Sequence, residues 1–128
     1  MKRIMPVFLT AYLLLLGCSA MGQTNLKVTS CAKLDWLDCY DDGRTTYSRT
    51  GQPNLYTIYC LSNGLTNLNL TGCTNLYELT CWSNQLSALD LISSSNLYLL
   101  DCHNNDLTTL NLTGFTNLDY VDCGGNLL

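Results

Sequence analysis

Charge is what this sequence has least of. Only 12% of its 128 residues are charged, 6 of them basic against 10 acidic, and His103 is the single histidine. Two of the basic residues, Lys2 and Arg3, lie in an N-terminal segment read below as removed, leaving the remainder more acidic still. Such a chain gains nothing from phosphate neutralisation, which excludes nucleic acid as a partner. Its eight cysteines include no C-x-x-C pair, so a structural zinc site built on close-set thiolates is excluded too. What is plentiful is apolar material, 47% of residues, enough for a core and unlike the composition of a disordered chain. The length allows one domain.

The N-terminus reads as a targeting segment over residues 1–22. Lys2-Arg3 is a positive start, Ile4 to Leu16 is a largely apolar stretch, and Gly17-Cys18-Ser19-Ala20 are small. The stretch is too short to span a bilayer as a mature helix and fits a signal-peptide core. Two cleavage sites remain open. Leu15-Leu16-Gly17-Cys18 resembles a bacterial lipobox, with Cys18 as the lipidated first residue; Ala20-Met21-Gly22 suits conventional cleavage before Gln23. Either way the chain leaves the cytoplasm, and any membrane contact runs through a lipid on Cys18.

The rest of the chain repeats itself every 21 residues. Asn54, Asn75, Asn96 and Asn117 fall in one column, followed by Leu55, Leu76, Leu97 and Leu118. The same spacing carries Ile58, Leu79, Leu100 and Val121, then Cys60, Cys81, Cys102 and Cys123, then Asn63, Asn84, Asn105 and Asn126. Extended backwards it captures Leu34, Leu37 and Cys39, with Asp42 at the asparagine position, before decaying at Arg44, Tyr47 and Arg49. This gives a short N-terminal cap, 23–33, and a repeat domain, 34–128, with units starting at 34, 55, 76, 97 and 118. The last unit stops at its eleventh position, Leu128. That truncation predicts a longer natural form and self-association through an uncovered end.

Each unit spells L-x-x-L-x-C-x-x-N-x-L and continues x-x-L-x-L. The first eleven positions resemble the leucine-rich-repeat signature, and the short Cys-x-x-Asn type resembles bacterial surface proteins of the internalin-like group. The resemblance implies a solenoid with a parallel β-strand ladder on its concave face, extended or 3₁₀ convex segments, and little α-helix apart from the signal peptide. The spacing supports this independently. In Tyr77-Glu78-Leu79-Thr80-Cys81, alternation turns Leu79 and Cys81 inward and Glu78 and Thr80 outward. One such strand buries too little to be stable, but parallel strands stacked about 4.8 Å apart share a core. The buried asparagine column, with an amide that donates and accepts, is suited to satisfying turn backbone from coil to coil. The cysteine column reads as small buried hydrophobes. Cys31 and Cys73 lie off that column, in the cap and on a link, and read as the reactive or paired thiols.

No catalytic constellation emerges. Alternation sends Cys102 inward and His103 outward, so the two do not form a nucleophile–base pair. The Asn-Leu-Thr sequons at Asn69 and Asn111 read as repeat-frame residues. Asp101 and Asp122, with Asp119 nearby, and the group Asp35, Asp38, Asp41 and Asp42 read as solvated acidic surface, since no spaced calcium-loop motif accompanies them. No cofactor and no metal is expected. The outward face of the ladder is richer: Trp36, Tyr56, Tyr59, Tyr77, Trp82, Tyr98, Asp101, His103, Tyr120 and Asp122 occupy it. Aromatic side chains give large contact areas at low entropic cost, and the strand face of a solenoid is its usual binding surface. The sequence therefore predicts a non-catalytic module recognising a protein or glycan, with a structural spacer in a larger surface protein as the alternative. If Cys18 is lipidated, the chain partitions into detergent and Cys18→Ser releases it. An aqueous-phase chain beginning at Gln23 is the opposite result.

Overall fold

The computed structural model describes residues 25–27, 36–38, 43, 45–48 and 52–128. The signal segment with Cys18, as well as Cys31, Asp35, Cys39, Asp41 and Asp42, lies outside the described residues. Eight strands of three residues each follow in order: β1 (Asn25–Lys27), β2 (Trp36–Asp38), β3 (Thr46–Ser48), β4 (Thr57–Tyr59), β5 (Asn67–Asn69), β6 (Glu78–Thr80), β7 (Leu99–Asp101) and β8 (Tyr120–Asp122). They form two wholly parallel sheets, β1-β3-β5 and β2-β4-β6-β7-β8. Every pairing joins residues 21 apart, as in Ile58↔Leu79 and Leu79↔Leu100. The architecture is a leucine-rich-repeat solenoid. No described helix is long and apolar enough to cross a membrane.

The two sheets correspond to the two halves of the repeat. The L-x-x-L-x-C half makes the five-stranded ladder. The second half is extended, as its Thr- and Asn-rich composition requires, and pairs as strand in β1, β3 and β5 only. Asn25–Lys27, which sequence alone places in the cap, lies in register with Thr46–Ser48, so the convex ladder starts before Leu34. In later coils the same segment runs extended without strand pairing. From β5 onward Asn69, Asp90 and Asn111 close the segment, each accepting a bond from the amide two residues on, at 2.9–3.0 Å, which turns the chain back. This accounts for both sequons without invoking glycosylation.

Between the sheets lies a core of columns. Leu55, Leu76 and Leu97, then Ile58, Leu79 and Leu100, then Leu65, Leu86 and Leu107 are essentially fully buried. Leu68, Leu70, Leu89 and Leu91 close it from the convex side. Each such leucine contributes roughly 1.5–3 kcal/mol, but only because the next coil covers it. In the fifth coil Leu118 and Cys123 are partly buried and Val121 is 40% exposed.

The turn off the ladder is held by the ninth-position asparagines. Asn84 Nδ2 donates to the carbonyls of Cys81, at 2.8 Å, and of Cys60 on the preceding coil, at 3.0 Å. Its Oδ1 accepts from the Leu65 amide at 3.0 Å, again on the preceding coil. Asn105 repeats the set with Cys102, Cys81 and Leu86, and Asn126 with Cys123, Cys102 and Leu107. Just before each asparagine the backbone is left-handed: Ser62, Ser83 and Asn104 have φ of 51°, 52° and 54°, and Gly125 has 64°. At Gly125 a Cβ would also fall 2.2 Å from Asn104 Oδ1, so glycine suits that coil for two reasons.

Asn84→Ala removes one amide that bonds four backbone groups on two coils, the carbonyls of Cys60, Cys81 and Trp82 and the Leu65 amide. It should destabilise the chain by about 1–3 kcal/mol in urea or thermal unfolding. Asn126→Ala, at the less buried end of the column, should cost less, and an Asn84→Ala melt indistinguishable from wild type would contradict the bridging role.

Candidate functional site

Strand alternation leaves four outward columns on the five-stranded sheet. The second position of each unit carries Tyr56, Tyr77 and Tyr98, whose rings stack face to face at centroid separations of 4.8 and 4.9 Å, tilted by 10° and 1°. The spacing is that of the strands beneath, so the backbone ladder itself brings the rings into contact. Backbone bonds from Tyr77 N to Tyr56 O and from Tyr98 N to Tyr77 O, both 2.8 Å, run directly under the stack. The Tyr98 hydroxyl donates to Asp119 Oδ2 at 2.8 Å. That bond to a carboxylate, before any other cause, raises the Tyr98 pKa; burial and then Tyr77 and Glu78 raise that of Tyr56.

Beside the tyrosines runs a second column, Asn54, Asn75, Asn96 and Asn117, and the two together line an open groove of about 670 Å³. Asn96 Nδ2 donates to the Thr74 carbonyl at 3.0 Å, tying one coil to the next. These asparagines mark the period in the sequence but were not expected on the surface that matters. The signal was their i, i+2 spacing to Tyr56, Tyr77 and Tyr98, which puts both columns on one side of the chain.

The fifth and seventh positions form another group. Trp82 and His103 stack with centroids 5.2 Å apart and planes 13° from parallel. His103 Nδ1 lies 2.5 Å from Asp101 Oδ1 and 3.7 Å from Asp122 Oδ2. Asp119, which the sequence grouped with Asp101 and Asp122, instead takes the Tyr98 hydroxyl. Tyr59 donates to Glu78 Oε2 at 3.1 Å, and Tyr120 is half-exposed on the last strand. Trp36 is in register with Thr57 at the start of the same ladder; its side chain lies outside what the structure describes.

Behind this face stands the cysteine column. Cys60, Cys81 and Cys102 are fully buried, Cys123 half-buried, and all four are thiols. Parallel strands point the four side chains the same way, which does not favour disulfides. Burial first, then neighbouring thiols and Asp101, pushes the Cys81 pKa well up and that of Cys102 up to about 12. Cys73, expected to be reactive, is instead fully buried, because its position on the link turns into the convex side of the core beside Ser94.

A cysteine ladder is also named in a solved structure. The functional domain of InlJ from Listeria monocytogenes, which includes a cysteine ladder, is similar to this chain with a TM-score of 0.76 and 35% sequence identity. The chain is an internalin-like leucine-rich-repeat solenoid. The similarity covers 80% of this chain and 23% of the length of that one. No family model matches the sequence, and no curated protein does.

The thiol column gives this solenoid a defined alkaline limit. Cys81 and Cys102 hold their protons when folded, whereas unfolded thiols release theirs above about pH 8.5. The unfolded state then binds fewer protons, so stability is intact below that pH and falls as the pH climbs towards the folded values. The expected outcome is a melting temperature that declines progressively from about pH 9 upward, with a shallower decline in Cys81→Ala. An unchanged melt across that range would remove the thiols from the account.

Proposed function

We propose that the solenoid is a non-catalytic recognition module of the cell envelope, or secreted, that holds a ligand against the Tyr56–Tyr77–Tyr98 stack and its asparagine groove. Lipidation at Cys18 is the one membrane attachment this reading includes. The observation that carries it is the stack itself, three coils long, with Tyr56 47% and Tyr98 37% exposed. Aromatic anchors fixed by their neighbours lose little entropy on binding, which makes them effective contact residues.

Of a protein and a glycan ligand, the geometry favours protein. The faces of Tyr77 are occupied by Tyr56 and Tyr98, and one face of Trp82 by His103. What the stack presents is ring edges, hydroxyls and the amides of Asn54, Asn75, Asn96 and Asn117, a mixture suited to the backbone and side chains of a polypeptide. The same internal stacking is what favours the second reading, a spacer whose aromatics serve only to cement the coils.

Immobilised chain should retain a specific protein from envelope extracts, and a Tyr77→Ser/Trp82→Ser double variant with unchanged circular dichroism should lose roughly tenfold or more of that capture. Equal capture by wild type and variant, or none by either, would leave the spacer reading standing.

A further inference from the structure

From Gly51 onward the sequence contains no lysine or arginine, yet it carries Glu78, Asp90, Asp101, Asp106, Asp119 and Asp122. Two of these are forced together. The register Asp101↔Asp122 puts both carboxylates at the same outward position of adjacent parallel strands, on the order of 4.8 Å apart along the ladder. No fixed cation of the chain from Gly51 onward can offset them. The one basic side chain present, His103, faces both, through the same Nδ1 atom.

We propose that Asp101, His103 and Asp122 form a binding site for a divalent transition-metal ion of the zinc class. One donor atom from each of the three lies within 4.8 Å of the others. The donors are held in place independently of any ion. Stacking on Trp82 fixes the imidazole plane. The Gly124 amide donates to Asp122 Oδ1 at 3.0 Å, which turns Oδ2 towards the histidine. The position after Asp122 in the outward column is Gly124, where the preceding coils carry Leu61, Trp82 and His103. With no side chain there, the approach to His103 and Asp122 stays open; even a Cβ at Gly124 would fall 3.3 Å from Asp122 Oδ1.

The donor set decides the class of ion. One imidazole nitrogen with two carboxylates suits borderline ions such as Zn²⁺, Ni²⁺ and Cu²⁺, whereas Ca²⁺ takes six to eight oxygens. Three protein ligands leave at least one coordination position outward, for water or for a carboxylate or imidazole of a bound protein. The site therefore deepens the recognition reading by placing an exchangeable position on the proposed face. It rests on that face only for its use, and the ion alone tests it.

Titrating ZnCl₂ into the full chain by calorimetry should show one saturable site. His103→Asn and Asp122→Asn should each weaken it by roughly tenfold or more with the circular dichroism unchanged. CuCl₂ should quench tryptophan fluorescence in the wild type and do so far less in Trp82→Phe, while CaCl₂ produces neither signal. Zinc uptake equal in wild type and both variants would assign it to the thiols and overturn the proposal, as would no uptake or equal competition by calcium. Zinc binding at His103 without any protein captured would refute the recognition reading alone.

Discussion

Everything in this molecule depends on a 21-residue register that never slips. A parallel strand of three residues has no stability of its own, so each coil exists because the previous one supplies its backbone partners and covers its leucines. The asparagine at the ninth position enforces that dependence, since its single amide satisfies groups on two coils at once. A residue inserted between Asn63 and Asn84 would separate Asn84 from the Cys60 carbonyl and the Leu65 amide together. Placed within the strand just ahead of Leu79, it would also turn Leu79 and Cys81 to the outside. The absence of insertions in the sequence is thus a physical requirement of the fold.

The face and the core are products of the same register. Because the strands stack without offset, whatever occupies a given outward position meets its counterpart on the next coil at strand spacing. Three tyrosines become a stack, two aspartates a repulsive pair, and an indole and an imidazole a sandwich. The inward positions follow the same rule, and four cysteines become a column in which burial raises the thiol pKa of Cys81 and Cys102. The chemistry of the surface is a projection of the sequence at intervals of 21.

This explains why so much was legible beforehand. Periodicity and strand alternation identified the two faces, the buried thiols and the outward tyrosines, because those properties depend only on position within the unit. What escaped was relational. Cys73 read as a reactive or paired thiol because it sits on a polar link, and only the turn made by its neighbours carries it into the core. Asn25–Lys27 carries Leu26 two periods before Leu68, but with Tyr47 between them that column is broken, and backbone pairing is what shows its place in the convex ladder. The tie between Tyr98 and Asp119, and the separation of Asp119 from Asp101 and Asp122, follow from which column each occupies rather than from their nearness in the chain.

The left-handed turn residues carry a further consequence. Ser62, Ser83 and Asn104 hold a conformation that costs a residue with a side chain on the order of 1 kcal/mol, so each coil is formed against a local penalty. That penalty falls on the coil itself, while most of the backbone bonds that compensate it run between coils. Such a division, unfavourable within the unit and favourable at its junctions, is the condition for strong nearest-neighbour cooperativity in a one-dimensional array. An isolated coil melts, a junction between two folded coils does not, and a boundary between ordered and unravelled chain anywhere in the middle is the most expensive state of all. The solenoid therefore behaves as one unit rather than as a string of separable turns.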